Sequence, residues 1–499
     1  MHLCLYLDEI LREIFRCIES RSTLCVLART CRAFRKPATD QIWETLTAME
    51  PILKHLSPPR LVENRTGSYL ALLQPPSGDD WNIIRRLSSR VHRLHITLNN
   101  VPLHDGVGVA VPWFCFLASP PDSSFLFPNL RALSFDVDRN LDISVRNILT
   151  GTSQAIIRFF QLLLGPHLSA LRFEMPTSFY HHLDISSIPL LCPNIHTLSL
   201  GRRNHRCEGA PIVDDVVYRF SEAVSQLRHL ETVRSYVASW DLLSSLAEAK
   251  GLRKLWVHLP STLGPRPTRP RSNIFTQLRT LDISTGSLAP CMELLCWTPF
   301  KEVTGIYIDC AVPTDDRDSL QTLVDMSYLI SSQCQNLDFL WIVFSPFDDR
   351  ETPTGWPRPM LEPYQAFHQL RVIALQTSHS LTLADNEFEG MVKAWPHLEV
   401  FHLFHDGIMS PPVHLTLLGV TALLYHCPKL KHFTLMFDAR RVPGRLAPLF
   451  RGTIVQNTSV RYMGVYASPI SESPSVSNRE LVMSLNGFGC AFVIKGSPP

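Results

Sequence analysis

The chain has 499 residues, 45% of them hydrophobic and 18% charged, with a formal net charge of +2 at pH 7. That balance describes an ordered protein with a large or long core and excludes a disordered one, and the near-neutral charge leaves no electrostatic footprint for nucleic acid. The longest apolar runs, near Val109 to Ala118 and Thr416 to Tyr425, are far short of a membrane span, and no basic start or small-residue cleavage site marks a signal peptide. Thirteen cysteines, an odd number with no Cys-x-x-Cys pair, read as reduced thiols, mostly buried, in a cytoplasmic or nuclear protein.

From Leu7 the apolar residues fall at Leu7, Ile10, Leu11, Ile14, Phe15 and Ile18, which places six large side chains on one helical face. Asp8 and Glu9 sit at the start of that helix, where its dipole favours negative charge. A second helical pattern runs through Leu24, Leu27, Ala28 and Cys31, with Ser22 or Thr23 as N-cap, and Pro37 is expected to stop it. A third short pattern uses Ile42, Trp43 and Leu46. Three helices in about forty residues lie near the lower limit for independent folding, so this much apolar surface asks for a partner. Arg29, Arg32, Arg35 and Lys36 form either a solvated face of the second helix or a contact for an acidic partner.

A helix tail from Met49 to Leu56 leads to Ser57-Pro58-Pro59 and then Gln74-Pro75-Pro76-Ser77-Gly78, which read as a linker over 51–78. An amphipathic segment follows, with Trp81, Ile84 and Leu87 on one side and Arg85, Arg86 and Arg90 on the other. Then comes the pattern that governs the remainder of the chain, apolar-x-x-apolar-x-apolar. It appears at Val91-Leu94-Ile96 and recurs about every thirty residues, for example at Leu130-Leu133-Phe135, Leu252-Leu255-Val257, Leu278-Leu281-Ile283 and Leu370-Ile373-Leu375, ending at Val460-Met463-Val465. Helical stretches lie between, such as Val216 to Leu227, Asp241 to Ala249, Leu320 to Ser332 and Leu417 to Tyr425.

A strand plus a helix at that period is the signature of a leucine-rich-repeat solenoid. No unit can bury its apolar face alone, so neighbours must stack. Strands pack about 4.8 Å apart and helices about 10 Å apart, so the stack curves with its strands inside. The expected fold class is therefore an α/β repeat: a short three-helix module over 1–50, a linker over 51–78, a horseshoe of about 13 repeats over 79–486 with a parallel sheet on the concave face, and a tail or cap over 487–499. Proline-rich interruptions at Pro260 to Pro270, Pro346 to Pro363 and Ser468 to Ser475 read as loops from one rim. Pro267-x-x-Pro270 also has the form of an SH3 ligand, although a plain loop accounts for it.

No catalytic set emerges. His181-His182 with Asp184, Asp315-Asp316 and Asp348-Asp349 lack the spacing of a ligand or acid-base pair, Gly106-x-Gly108 lacks the third glycine of a nucleotide loop, and Gly-x-Ser-x-Gly is absent. No cofactor or metal is expected, and the chain reads as a non-enzyme. A geometric signal is stronger. In each strand the residue between the second and third apolar positions faces the concave side. Along the chain this gives Arg172, Ser199, Arg234, Trp256, Asp282, Tyr307, Trp341, Ala374, His402, Thr434 and Gly464, with Phe339 and Phe404 at neighbouring outward positions. Grouped aromatics on such a face are candidate binding anchors, although aromatics also favour strands for packing alone. The candidate target-binding set is Arg172, Arg234, Trp256, Asp282, Tyr307, Phe339, Trp341, His402 and Phe404.

The N-terminal run Leu7-Asp8-Glu9-Ile10-Leu11, Ile14-Phe15, Leu27-Ala28-Arg29-Thr30-Cys31-Arg32-Ala33-Phe34 and Ile42-Trp43 resembles an F-box, in particular that of the large F-box receptor families of mushroom-forming fungi. Where that family usually has proline before Glu-Ile-Leu, this chain has Asp8. Cys192-Pro193-Asn194, Cys427-Pro428-Lys429 and Pro128-Asn129 resemble the Cys-Pro-x-Leu lead-in of F-box-linked repeats, while the residue that usually closes each repeat is mostly missing, so the repeats are divergent. The resemblance implies the substrate receptor of a Skp–cullin–F-box ubiquitin ligase in the Ubl conjugation pathway. Its F-box would bind the Skp-type adaptor, and through it a cullin, by Leu7, Glu9, Ile10, Leu11, Ile14, Phe15, Leu24, Leu27, Phe34 and Trp43. Its repeats would hold a protein target, with no nucleic acid or membrane involved. The rival reading is a scaffold outside any ligase, in which the F-box caps the solenoid.

Overall fold

The computed structural model describes residues 7–56, 60–64, 67–72, 74–98, 111–122, 125–137, 150–175, 177–180, 182–201, 214–236, 238–264, 274–312, 318–346, 360–377, 383–405, 414–440, 457, 459–465 and 468. The chain divides into two compact units, 1–236 and 237–499.

The first unit opens with α1 (Asp8–Arg16), α2 (Arg21–Thr30) and α3 (Arg32–Glu44). Leu11, Phe15, Leu24 and Ala38 form the buried centre of this bundle, and Ile18, Leu27, Ala28, Ala33, Phe34 and Ile42 pack against it. Phe15 meets Phe34 edge-on with centroids 5.5 Å apart, a favoured aromatic geometry. Two local expectations need correction. The cap of α2 is Ser20, whose hydroxyl accepts from the Thr23 amide at 3.3 Å, so the helix starts before Ser22. Pro37 does not stop a helix; the break falls at Cys31, in extended conformation, and Pro37 lies buried inside α3. A proline inside a helix costs about 3 kcal/mol in isolation, and its burial in the bundle offsets that loss.

The stretch over 51–78 that reads as a linker contains structure. It holds α4 (Glu50–Leu53), then β2 (Arg60–Asn64) antiparallel to β3 (Gly67–Leu72), and β3 pairs in turn with β5 (Val111–Pro112). Pro75 and Pro76 run into the start of α5 (Gly78–Ser88), where Ser77 and Asp80 form a reciprocal capping box. Proline, glycine and serine serve tight connections and caps as well as free linkers, so composition alone misassigned this segment.

A parallel sheet begins inside the bundle's own last turn. β1 (Thr45–Leu46) follows α3 without a loop and pairs with β4 (Arg93–Leu98), which is followed by β6 (Ala132–Val137), β7 (Ala170–Glu174), β8 (Thr197–Leu200) and β9 (Thr232–Ser235). The second unit continues the same construction with β10 (Lys254–Leu259), β11 (Thr280–Thr285), β12 (Gly305–Val312), β13 (Phe339–Pro346), β14 (Val372–Thr377), β15 (Val400–His405), β16 (His432–Thr434) and β17 (Tyr462–Gly464), each parallel to the next. All of the recurrent motifs therefore form strands, and helices at Asp214–Gln226, Trp240–Ala247, Asp318–Gln333 and Leu417–His426 fill the intervals where helical periodicity is read.

Two devices hold successive repeats in register. The carbonyl just before each strand accepts two amides of the next repeat: Arg253 receives Arg279 at 2.8 Å and Thr280 at 3.0 Å, Arg279 receives Thr304 and Gly305, and Arg371 receives Glu399 and Val400. In addition, side-chain amides in the turns reach back to the preceding repeat. Asn194 donates to the Pro166 carbonyl at 2.9 Å, Asn336 to Lys301 at 3.3 Å and Asn457 to Cys427 at 2.9 Å. These bonds satisfy turn carbonyls that strands and helices leave open. Behind the sheet the paired motif positions, such as Leu281 and Ile283, Ile306 and Ile308, or Leu340 and Ile342, are buried. The proline-rich stretches over 265–273 and 347–359, and everything from 469 onward including the expected tail at 487–499, lie outside the described residues, as do His181, Gly106, Gly108, Asp315, Asp316, Asp348 and Asp349.

Candidate functional sites on the bundle and the sheet

The apolar arc of α1 splits into two stripes. Leu11 and Phe15 turn inward, while Leu7 is 52%, Ile10 36% and Ile14 43% exposed. Val26 on α2, 64% exposed, is a further bare aliphatic that helical periodicity did not single out. Of the ten residues assigned to adaptor docking, Leu7, Glu9, Ile10 and Ile14 are at the surface; Leu11, Phe15 and Leu24 are in the bundle's core; Leu27 and Phe34 are half-buried against it. Trp43 is half-buried with its ring 5.9 Å from that of His55. Burial assigns Leu11, Phe15 and Leu24 to holding the bundle together. Arg29, Arg32, Arg35 and Lys36 are all exposed.

Asp8 is the first residue of α1. That is the helical position where proline is tolerated because its amide has no intrahelical partner, so the departure from the F-box pattern keeps the helix start. Arg12 donates to Asp8 at 2.7 Å and to Asp40 at 2.8 Å, and Arg90 also pairs with Asp40. These two carboxylates raise the Arg12 guanidinium above its ordinary range. Asp40 thus ties α1 to α3 and both to the segment leading into β4. The His92 amide donates to the Glu44 carbonyl at 2.9 Å, and Arg21 donates to the Thr45 carbonyl in β1, so the bundle is anchored on the sheet.

The outward positions of the strands form true rows. In the first unit, His95, Ser134, Arg172, Ser199 and Arg234 are successive register partners. Arg172 donates to Glu174 at 2.9 Å, and Arg234 lies 5.6 Å above the Tyr236 ring. In the second unit the row runs Trp256, Asp282, Tyr307, Trp341, Ala374, His402, Thr434, Gly464. Here the rings touch one another. Trp341 lies 6.2 Å from Tyr307, 6.3 Å from Phe339 and 6.1 Å from His402. Trp341 and His402 are two strands apart, about 9.6 Å, so they lean together over Ala374, which is fully buried beneath them. His402 shares a hydrogen bond of 2.8 Å with Thr434, and burial, with His432 adding to it, lowers its pKa. Phe404 lies on β15, with its side chain outside what the structure describes.

Among the described residues, no group of three His, Cys, Asp or Glu is placed to hold a metal ion, and no helix is long and apolar enough to cross a membrane. The described cysteines are free thiols, and burial pushes Cys192, Cys291, Cys334 and Cys427 up to about 12, which keeps them protonated.

A three-helix module with a bare aliphatic stripe leads into parallel α/β repeats. Residues 8–48 match the family described as F-box-like, so the chain carries an F-box-like domain at its N-terminal end. Among solved structures the chain is similar to one described as the crystal structure of the Rad7 and Elc1 complex in yeast, at 14% identity, covering 65% of this chain and 79% of that one, with a TM-score of 0.34. A likeness this loose carries no conclusion about either fold or function. No curated protein sequence matches the chain.

Proposed function

We propose that this chain is a non-catalytic substrate receptor of a Skp–cullin–F-box ubiquitin ligase, acting in the cytoplasm or nucleus. The F-box docks a Skp-type adaptor, and divergent leucine-rich repeats of the fungal F-box type hold a target protein. The observation that carries this reading is the stripe Leu7, Ile10 and Ile14, exposed on an F-box-like domain that is itself fixed to the sheet. Full burial of such a side chain from water is worth roughly 1.5–3 kcal/mol, and with Leu7, Ile10 and Ile14 exposed by 52%, 36% and 43% roughly half of that remains to be gained at each on docking. Such a receptor transfers nothing itself; it raises the effective concentration of the target near the catalytic subunits.

The test is co-purification of the full chain with a Skp-type adaptor. Ile10→Asp should remove the adaptor while leaving the unfolding profile unchanged; an Ile10→Asp chain that still binds the adaptor would remove the proposal. A second reading draws on β1, which makes the bundle the start of the sheet: the F-box caps the repeats of a scaffold that belongs to no ligase. Recovery of cullin together with the adaptor separates the two, since a scaffold brings down no cullin.

A further inference from the structure

The cations of the three-helix bundle fall into two groups. Arg12 pairs with Asp8 and Asp40, Arg16 with Glu13, and Arg21 with the carbonyls of Ile42 and Thr45. Arg29, Arg32, Arg35 and Lys36 are exposed, and among the described residues their side chains make no hydrogen bond or ion pair. No Asp or Glu lies between Glu19 and Asp40, and Asp40 is already held by Arg12 and Arg90. Within α3, Arg32, Arg35 and Lys36 are spaced three and four apart, which puts three like charges side by side on one face. Arg32 and Arg35 also stand in the first turn of that helix, which has no acidic residue and where the dipole opposes positive charge. Arg29 suits the last turn of α2, but the other three bear a repulsion that nothing among the described residues offsets. Three residues before Arg29, on the same face of α2, Val26 is 64% exposed.

We propose that this face of α2 and α3 is a second contact for the adaptor, taking an acidic segment of that protein beside the groove that covers Leu7, Ile10 and Ile14. The inference rests on the receptor reading above and names the chemistry of its partner. Ile10, Ile14 and the four cations belong to one domain, residues 8–48. Its longest helix, of 13 residues, is about 20 Å long. A specific interface of about 800 Å² per partner is wide enough to reach both sets of residues. Val26 gives the segment an apolar footing beside Arg29, which a phosphate backbone would leave bare. The chain's net charge of +2 also lacks the wider positive field that nucleic acid or an anionic membrane calls for. Guanidinium groups pair with carboxylates through two parallel N–H bonds. At an exposed rim such pairs act chiefly on the rate of encounter, so the cations steer the adaptor while the desolvated aliphatic stripe holds it.

The experiment follows association of the full chain with a Skp-type adaptor at about 50 mM and about 500 mM salt, where screening lengths differ about threefold. Arg32→Glu, Arg35→Glu and Lys36→Glu combined should slow association at low salt by about tenfold or more, with the gap closing to within about twofold at high salt. The melting temperature of that variant should hold or rise, since acidic residues suit the start of α3. Ile10→Asp should lose the adaptor at both salt concentrations, which separates the stripe from the patch. Carbodiimide, which joins an ammonium to a carboxylate in direct contact, should link Lys36 to an Asp or Glu of the adaptor, read by mass spectrometry. An original chain that binds no adaptor removes the receptor reading and this one together. Adaptor binding by the original chain, with the charge-reversed chain associating as fast at low salt, removes this one alone. Charge reversal that leaves the adaptor rate unchanged and instead abolishes binding to phosphatidylserine vesicles assigns the patch to a membrane and also overturns the proposal. The salt dependence of the original chain needs no variant, and an association rate that ignores salt overturns the proposal even if the charge-reversed chain folds poorly.

Discussion

The stripe on α1 and the aromatic row of the second unit both place large apolar side chains at a surface, by different means. Leu7, Ile10 and Ile14 are exposed aliphatics on a helix whose opposite side holds the bundle together. Tyr307, Trp341 and His402 are half-buried, Trp341 contacts both of the other rings, and Trp341 and His402 lie over Ala374. Aliphatic exposure of the first kind is relieved only by desolvation against a complementary groove, so it gives affinity with little chemical selectivity.

The largest expected effect separates the two stripes of α1. Leu11→Asp places an unpaired charge in the core and should cost roughly 3–5 kcal/mol, melting the bundle. Ile10→Asp, one residue away, should stay within about 0.5 kcal/mol of the original. Denaturant unfolding followed by helical circular dichroism reads both, and similar losses for the pair would erase the inner–outer distinction.

Next comes Trp341→Ala. Removing a buried aromatic costs about 3–5 kcal/mol, and because this ring is half-exposed the loss should be nearer 2 kcal/mol, with Ala374 newly open to solvent. Hydrogen exchange at the β14 amides should rise in step. Unchanged exchange would mean that the row is decoration on a sheet stable without it.

A smaller effect is expected at Asp40, which bridges Arg12 and Arg90 at the junction of bundle and sheet. Partly exposed ion pairs contribute modestly, so Asp40→Ala should cost about 1 kcal/mol and quicken exchange in α1 and around Arg90 while β12 to β15 stay protected.

The smallest effect depends on pH. The pKa of His402 is lowered in the folded chain, so the unfolded chain binds the proton more readily. The stability contributed by the neutral ring is therefore complete above the ordinary histidine value, about 6.5, and declines as pH falls from there toward the lower folded value. Thermal melts across that window should show a slope that His402→Gln reduces. An identical slope in the variant would move the effect to other groups, such as His92, which burial and Arg131 also lower.

Much of this was legible in the sequence because it depends on local periodicity. The strand motif has a period of two set within a repeat of about thirty, and nothing but stacked neighbours satisfies both. The row from Trp256 to Gly464 follows from the same rule, since a strand residue between two core positions must face outward. What failed depended on context. Pro37 reads as a stop because its isolated cost is large, yet the bundle accepts it. The prolines over 51–78 read as a linker because cap and hairpin residues share a linker's composition. Asn194, Asn336 and Asn457 serve as rungs between repeats although no single spacing marks them.

The sequence by itself determined the F-box-like helices, the repeat strands and which residues point away from the core, because side-chain direction follows from backbone period alone. Only the tertiary structure decided which half of the α1 arc is bare. A helical wheel shows an arc of apolar residues, and the packing of α2 and α3 chooses which part of it to cover. The same holds for the aromatic row. Its members were legible one by one, but whether Trp341 and His402 close over Ala374 depends on strands that lie 61 positions apart at those two residues and meet only when the repeats stack.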